Sequence, residues 1–198
     1  MNCLLRCSCG KVKGTVETAK FHNRCVCYCK TCQAFAHFLN KAEDVLDGQG
    51  GTAILQTVPS AIHISAGKEE IRCMSLTKGG LLRWYTQCCN TAIGNTPANY
   101  KIPFVGLIQA CLRPQVGSTL DKSFGPIKTR VNTQSAKGEP KPKASIALGI
   151  MLKFMPILFK ARLNGSYKKT PFFSPEGTPV VIPNVLDEAE YKKLLQSL

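Results

Sequence analysis

Between Lys11 and Cys111, short apolar runs alternate with polar and glycine punctuation. The pattern predicts strands at Val12–Glu17, Asn23–Tyr28, Thr52–Thr57, Ala61–Ser65, Ile71–Leu76, Leu81–Thr86 and Phe104–Cys111. One interruption, Ala34–Leu39 followed by Lys41–Leu46, suggests a short helix or two turns, closed by the glycine-rich turn Asp47–Gly51. After Arg113 the strand pattern lapses. Residues 116–143 are rich in Gly, Pro and Lys and read as a partly ordered linker. Ser145 is a candidate cap for a helix reaching about Leu163, apolar over Ile146–Phe159 except at Lys153 and broken by Pro156. That run of 14 residues falls short of the roughly 20 needed to span a bilayer, so it reads as a buried or domain-docking helix, with an interfacial membrane helix as runner-up. Farther on, Pro171–Phe173 and Val180–Pro183 are extended apolar pieces. Leu186–Leu198 has helical spacing, with acids Asp187, Glu188 and Glu190 early and lysines later, as the helix dipole favours. The expected architecture is mainly β, α+β overall: a β domain over residues 1–112, a basic linker over 113–143, and a partly helical extension over 144–198 packed on the domain.

Composition sharpens this. A chain of 198 residues with 44% hydrophobic content can bury one core of ordinary size. Cys3, Arg6, Cys7 and Cys9 interrupt any signal-peptide pattern, so the expected location is the cytoplasm. The net charge of +14 is concentrated in residues 113–170, which hold 12 basic and 2 acidic side chains. Such a block attracts anions, whether nucleic acid, lipid headgroups or a carboxylate-bearing small molecule, and charge alone does not choose among them. Nucleic acid and a membrane surface rank behind a small substrate as expected partners. The 11 cysteines are better explained in a reducing compartment by metal ligation than by disulfides.

The cysteines fall into groups. Cys27-Tyr28-Cys29-Lys30-Thr31-Cys32 packs three thiols into six residues, enough to hold one ion with a fourth position open to water or substrate. A closed site completed by Cys25, His37 or His63 is the alternative. Cys7-Ser8-Cys9-Gly10 is an incomplete pair whose distant partners are expected to be Cys88 and Cys89. Cys3, Cys73 and Cys111 stand alone among apolar neighbours and read as buried fillers. Cys25 is either a spare ligand or a filler.

Cys7-x-Cys9-Gly10, then Cys27-x-Cys29-x-x-Cys32, then Arg83-Trp84-Tyr85 leading to Cys89 resemble the glutathione-dependent formaldehyde-activating enzyme family, which includes centromere protein V. The resemblance covers about residues 3–112, and the intervening segments look more like a bacterial branch with a C-terminal extension. It implies an antiparallel β-tent fold binding two zinc ions, and carbon–sulfur lyase chemistry. The early Cys pair would join a late Cys-x-x-Cys around a structural zinc, and Cys27, Cys29 and Cys32 would hold an open, catalytic one. This chain departs from the pattern at Thr86, where the first late cysteine should stand, and at Asn90, in place of a glycine. Cys88 is the substitute, so the structural site is Cys7, Cys9, Cys88 and Cys89, or three of these.

The expected function is a zinc-dependent carbon–sulfur lyase acting on a thiol–aldehyde adduct such as S-hydroxymethylglutathione, with Lys30 and Arg83 as candidate carboxylate holders and Trp84 and Tyr85 as core aromatics. The alternative is an inactive, zinc-stabilised binding module for an anionic partner, built on the basic block.

Overall fold

Strands β1 (Asn2–Arg6) and β2 (Lys13–Glu17) form an antiparallel hairpin, with Cys3, Leu5 and Val16 turned inward and Asn2, Leu4 and Arg6 outward. The computed structural model describes residues 2–20, 23–144, 148–196 and 198; the expected cap at Ser145 lies outside them. β3 (Asn23–Cys27) leads into α1 (Lys30–Phe38) and α2 (Ala42–Val45). Then follow β4 (Thr52–Thr57), β5 (Ile62–Ala66), β6 (Ile71–Ser75), β7 (Leu82–Thr86), β8 (Ala92–Thr96), β9 (Val105–Ile108) and β10 (Leu112–Arg113). The later part holds α3 (Leu120–Phe124), β11 (Thr129–Val131), α4 (Leu148–Leu163), β12 (Asn184–Val185) and α5 (Glu188–Gln196).

The fold is mainly β with a few helices. A four-stranded antiparallel sheet runs β10-β1-β2-β5, and an eight-stranded sheet runs β11-β3-β4-β9-β8-β7-β6-β12. The larger sheet is antiparallel except at its rims, where β11 and β12 pair in parallel with β3 and β6. Segment 113–143, expected as a linker, thus contributes α3 and an edge strand. Buried Arg24 on β3 holds it there: its guanidinium pairs with the Asp121 carboxylate and donates to Gly125 O at 2.7 Å and Gln109 Oε1 at 2.9 Å.

Leu5, Val16, Ile64, Cys73, Trp84 and Leu107 help fill the main core, to which both sheets contribute, and each such side chain fully buried adds about 1.5–3 kcal/mol. Trp84 donates its indole N–H to Thr96 Oγ1 at 2.9 Å and packs on Phe172 and Phe173 at centroid distances of 5.0 and 6.0 Å, so the later segment completes this core. A second cluster gathers Phe35 of α1, Leu39 at its C-cap, Met74 of β6 and Tyr191, Leu194 and Leu195 of α5. β8 and β9 close at glycines: a Cβ on Gly94 would lie 2.8 Å from the Gly106 carbonyl oxygen, too near for any side chain.

Candidate metal centres

The turn after β1 presents Cys7 and Cys9. Cys7 exchanges backbone hydrogen bonds with the residues after it, and Gly10 closes the turn at φ +79°, where a side chain would be strained. Opposite stands the β7–β8 turn, tied by the Thr86 N–H to Thr91 O at 3.0 Å. Asn90 occupies it at φ +53°, a left-handed conformation that asparagine tolerates better than most residues. This geometry lets adjacent Cys88 and Cys89 point the same way. Sulfur separations are 3.5 Å for Cys7–Cys9, 3.3 Å for Cys9–Cys88, 3.9 Å for Cys7–Cys88 and 3.7 Å for Cys88–Cys89. A tetrahedral zinc with sulfurs at about 2.3 Å spaces them about 3.8 Å apart, so these four sulfurs stand at the spacing such an ion needs.

Thr86, expected to be a cysteine on the resembled pattern, instead braces the Cys89 thiol. Its Oγ1 lies 3.4 Å from Cys89 Sγ, and that of Thr91 lies at 3.2 Å. Burial pushes the Cys89 thiol up, but hydrogen bonds from Ser8, Thr86, Thr91 and the Cys9 backbone outweigh it and bring the group down to about 4. Cys89 is thus a ready thiolate.

The second group is local. β3 delivers Cys27, and α1 begins immediately after, with Cys29 as its N-cap and Cys32 in its first turn; the N–H groups of Cys32 and Gln33 donate to Cys29 O at 3.0 and 3.2 Å. The three sulfurs lie within 4.8 Å of one another. Hydrogen bonds from Cys27 and Cys32, with the Thr31 hydroxyl at 3.2 Å, bring Cys29 down to about 2. The same contacts push Cys27 and Cys32 up, so one thiolate is shared with two thiols whose protons a cation would displace. Neither His37 nor His63 joins the group among the described residues. Cys25 packs against it without joining, its thiol pushed up to about 12 mainly by burial. Cys73 and Cys111, outside both groups, are likewise pushed by burial to about 12, and Cys3 is raised.

Two residues of this centre escaped the sequence reading. Asn132, just past β11 and left-handed at φ +56°, donates its Nδ2 to Cys27 Sγ at 3.3 Å. Buried Gln33 donates to Tyr28 O at 2.8 Å and to Ser135 O at 3.0 Å, fastening the same segment to the cluster loop. The carboxylate holders fare differently. Lys30 is exposed at the first position of α1, whereas Arg83 is buried, stacked over Phe35 at 5.4 Å and donating to Asn95 Oδ1 at 3.2 Å, so it cannot reach a substrate. Trp84 is fully buried and Tyr85 half-buried. A cavity of about 650 Å³ beside Thr15, His63, Lys68 and Lys169 contains no thiol, so chemistry rather than volume marks the candidate site.

The sequence matches a family of unknown function, DUF6151, over residues 2–182. The chain belongs to the DUF6151 family. Both thiol groups, Asn132 and α4 lie inside the part shared with DUF6151, and β12 and α5 lie beyond it. No curated protein matches the chain.

Proposed function

We propose that the protein is a zinc-dependent carbon–sulfur lyase-like enzyme that makes and breaks the bond between a thiol sulfur and an aldehyde carbon, in an adduct of the S-hydroxymethylglutathione type. One contrast carries this reading: four thiols close the first centre, while Cys27, Cys29 and Cys32 supply only three donors. Zinc held by three thiolates keeps a position for a substrate oxygen or sulfur and acts there as a Lewis acid.

The chain's own residues do the rest. Cys27, Cys29 and Cys32 hold the ion, and the Asn132 amide orients Cys27 and disperses its charge. The N-terminus of α1 favours negative charge at Cys29 and at an incoming thiolate. Lys30 and the overall net charge of +14 favour an anionic thiol carrier such as glutathione. In the addition direction sulfur bonds to the carbonyl carbon, the C=O π bond becomes a hydroxyl, and the thiol proton ends on that oxygen; nothing is oxidised or reduced. A reducing, cytoplasmic setting suits such a reaction.

Cobalt in place of zinc tests the open position. Saturating glutathione is expected to change the sulfur-to-cobalt and ligand-field bands of the wild type and to leave those of Cys29→Ala unchanged. An unaltered spectrum in protein retaining both ions would mean a closed site, and a zinc-stabilised binding module would replace the lyase reading.

A further inference from the structure

Helix α4 is apolar on two faces, and among the described residues only one of them is covered. Phe154 meets Phe104 edge to face at 5.6 Å and Ala161 is buried, so one side is fixed to the domain. The other side presents Leu152, Met155, Phe159 and Leu163, which are 65%, 54%, 64% and 72% exposed. Their spacing of three, four and four residues makes one continuous stripe, about 16 Å long at the helical rise. Four large apolar side chains in a row are unlike the scattered exposed residues of ordinary surfaces.

Charge identifies what covers them. The α4 sequence LGIMLKFMPILFKARL contains no acid, its last turn carries Lys160 and Arg162, and Lys168 and Lys169 follow. Together they belong to the block with 12 basic and 2 acidic side chains. A second copy would fit poorly: it would bring up another helix that carries the same cations and no acid to pair with them. The stripe itself offers methyl, thioether and phenyl groups and no hydrogen-bonding side chain, so it selects an apolar phase rather than a partner's polar pattern. Among the described residues no helix is long and apolar enough to cross a membrane, so α4 can only lie along one.

We propose that α4 is a membrane-surface element: the stripe at Leu152, Met155, Phe159 and Leu163 enters the acyl boundary of an anionic bilayer while the lysines and arginine beside it meet the headgroups. The helix is held to the domain by its other face, so docking needs no unfolding. Each cation near an anionic surface adds to the attraction, which salt screens, while the apolar stripe supplies a salt-independent part.

The test is co-sedimentation of the full chain with vesicles of phosphatidylcholine alone and of phosphatidylcholine with about one third phosphatidylglycerol. Binding to the anionic vesicles only, weakened but not abolished at high salt, is expected. The double variant Phe159→Ser/Leu163→Ser, altered only at exposed positions, should bind these vesicles about tenfold or more weakly with an unchanged melting temperature. Wild-type protein that stays in the supernatant with anionic vesicles, or a double variant that binds as well as wild type, overturns the proposal. Sedimentation velocity showing a dimer that the same double variant dissociates would assign the stripe to a second copy instead.

Discussion

Asn132 illustrates how much a single side chain can do at distance. It stands 105 positions from Cys27, in a lysine-rich stretch with no local sign of function, yet its amide reaches the sulfur at 3.3 Å. Donors to a ligand sulfur tune metal affinity by about 10–100-fold, and Asn132 is itself exposed, so Asn132→Ala should weaken the middle centre without a matching loss of stability. Competition with a chromophoric chelator should show one of two metal ions released about tenfold more readily, at an unchanged melting temperature; equal loss of both ions would count against this role. Asn90 and Thr86 show the reverse, residues visible in the sequence whose meaning was not. Against the resembled pattern they look like damage to a metal site. In the structure Asn90 supplies a left-handed turn that brings Cys88 to Cys7, Cys9 and Cys89, and Thr86 braces Cys89. Sequence spacing names the thiols, but their convergence is a property of the turn.

At the level of elements, strands with clear alternation were legible, and β4 spans the very residues expected, Thr52–Thr57. β1 was hidden because only Cys3 and Leu5 face inward, too short a period to stand out beside the cysteine pair that follows it. β8 was hidden by Gly94 and Asn95, which look like a break but serve close strand approach and Arg83. β11 has three residues, too few to carry a period, and owes its place to contacts made elsewhere. Of these, Arg24 matters most, because it ties β3 to α3 and to the approach of β11. Arg24→Ala would strip donors from Gly125 O and Gln109 Oε1, and a loss of about 2 kcal/mol in urea denaturation is expected. Metal retention at the Cys27 centre should fall with it, since Asn132 rides on the same segment; full retention would show that β11 docks independently of Arg24.

Across the whole molecule the two thiol groups sit in different mechanical positions. Cys7 and Cys9 follow a strand of the smaller sheet, whereas Cys88 and Cys89 lie in a turn of the larger one, so an ion among them would clamp sheet to sheet across about 80 residues of chain. Cys27, Cys29 and Cys32 span only one strand end and one helix start. Cys9→Ala should therefore cost about 3 kcal/mol or more and lower the melting temperature far more than Cys29→Ala, and chelation should mimic the larger effect. Calorimetry finding the Cys29 variant the less stable would reverse the assignment of roles. The parallel strands at the two rims of the large sheet carry a different consequence, one of timing. A ribosome delivers β3 and β6 long before β11 and β12, so during synthesis both outer strands wait with unpaired amides and carbonyls. The nascent sheet is most open to pairing with a neighbouring chain in that interval, and the rim strands, once they emerge, cover Cys25, Val26 and Cys27 of β3 and Met74 and Ser75 of β6.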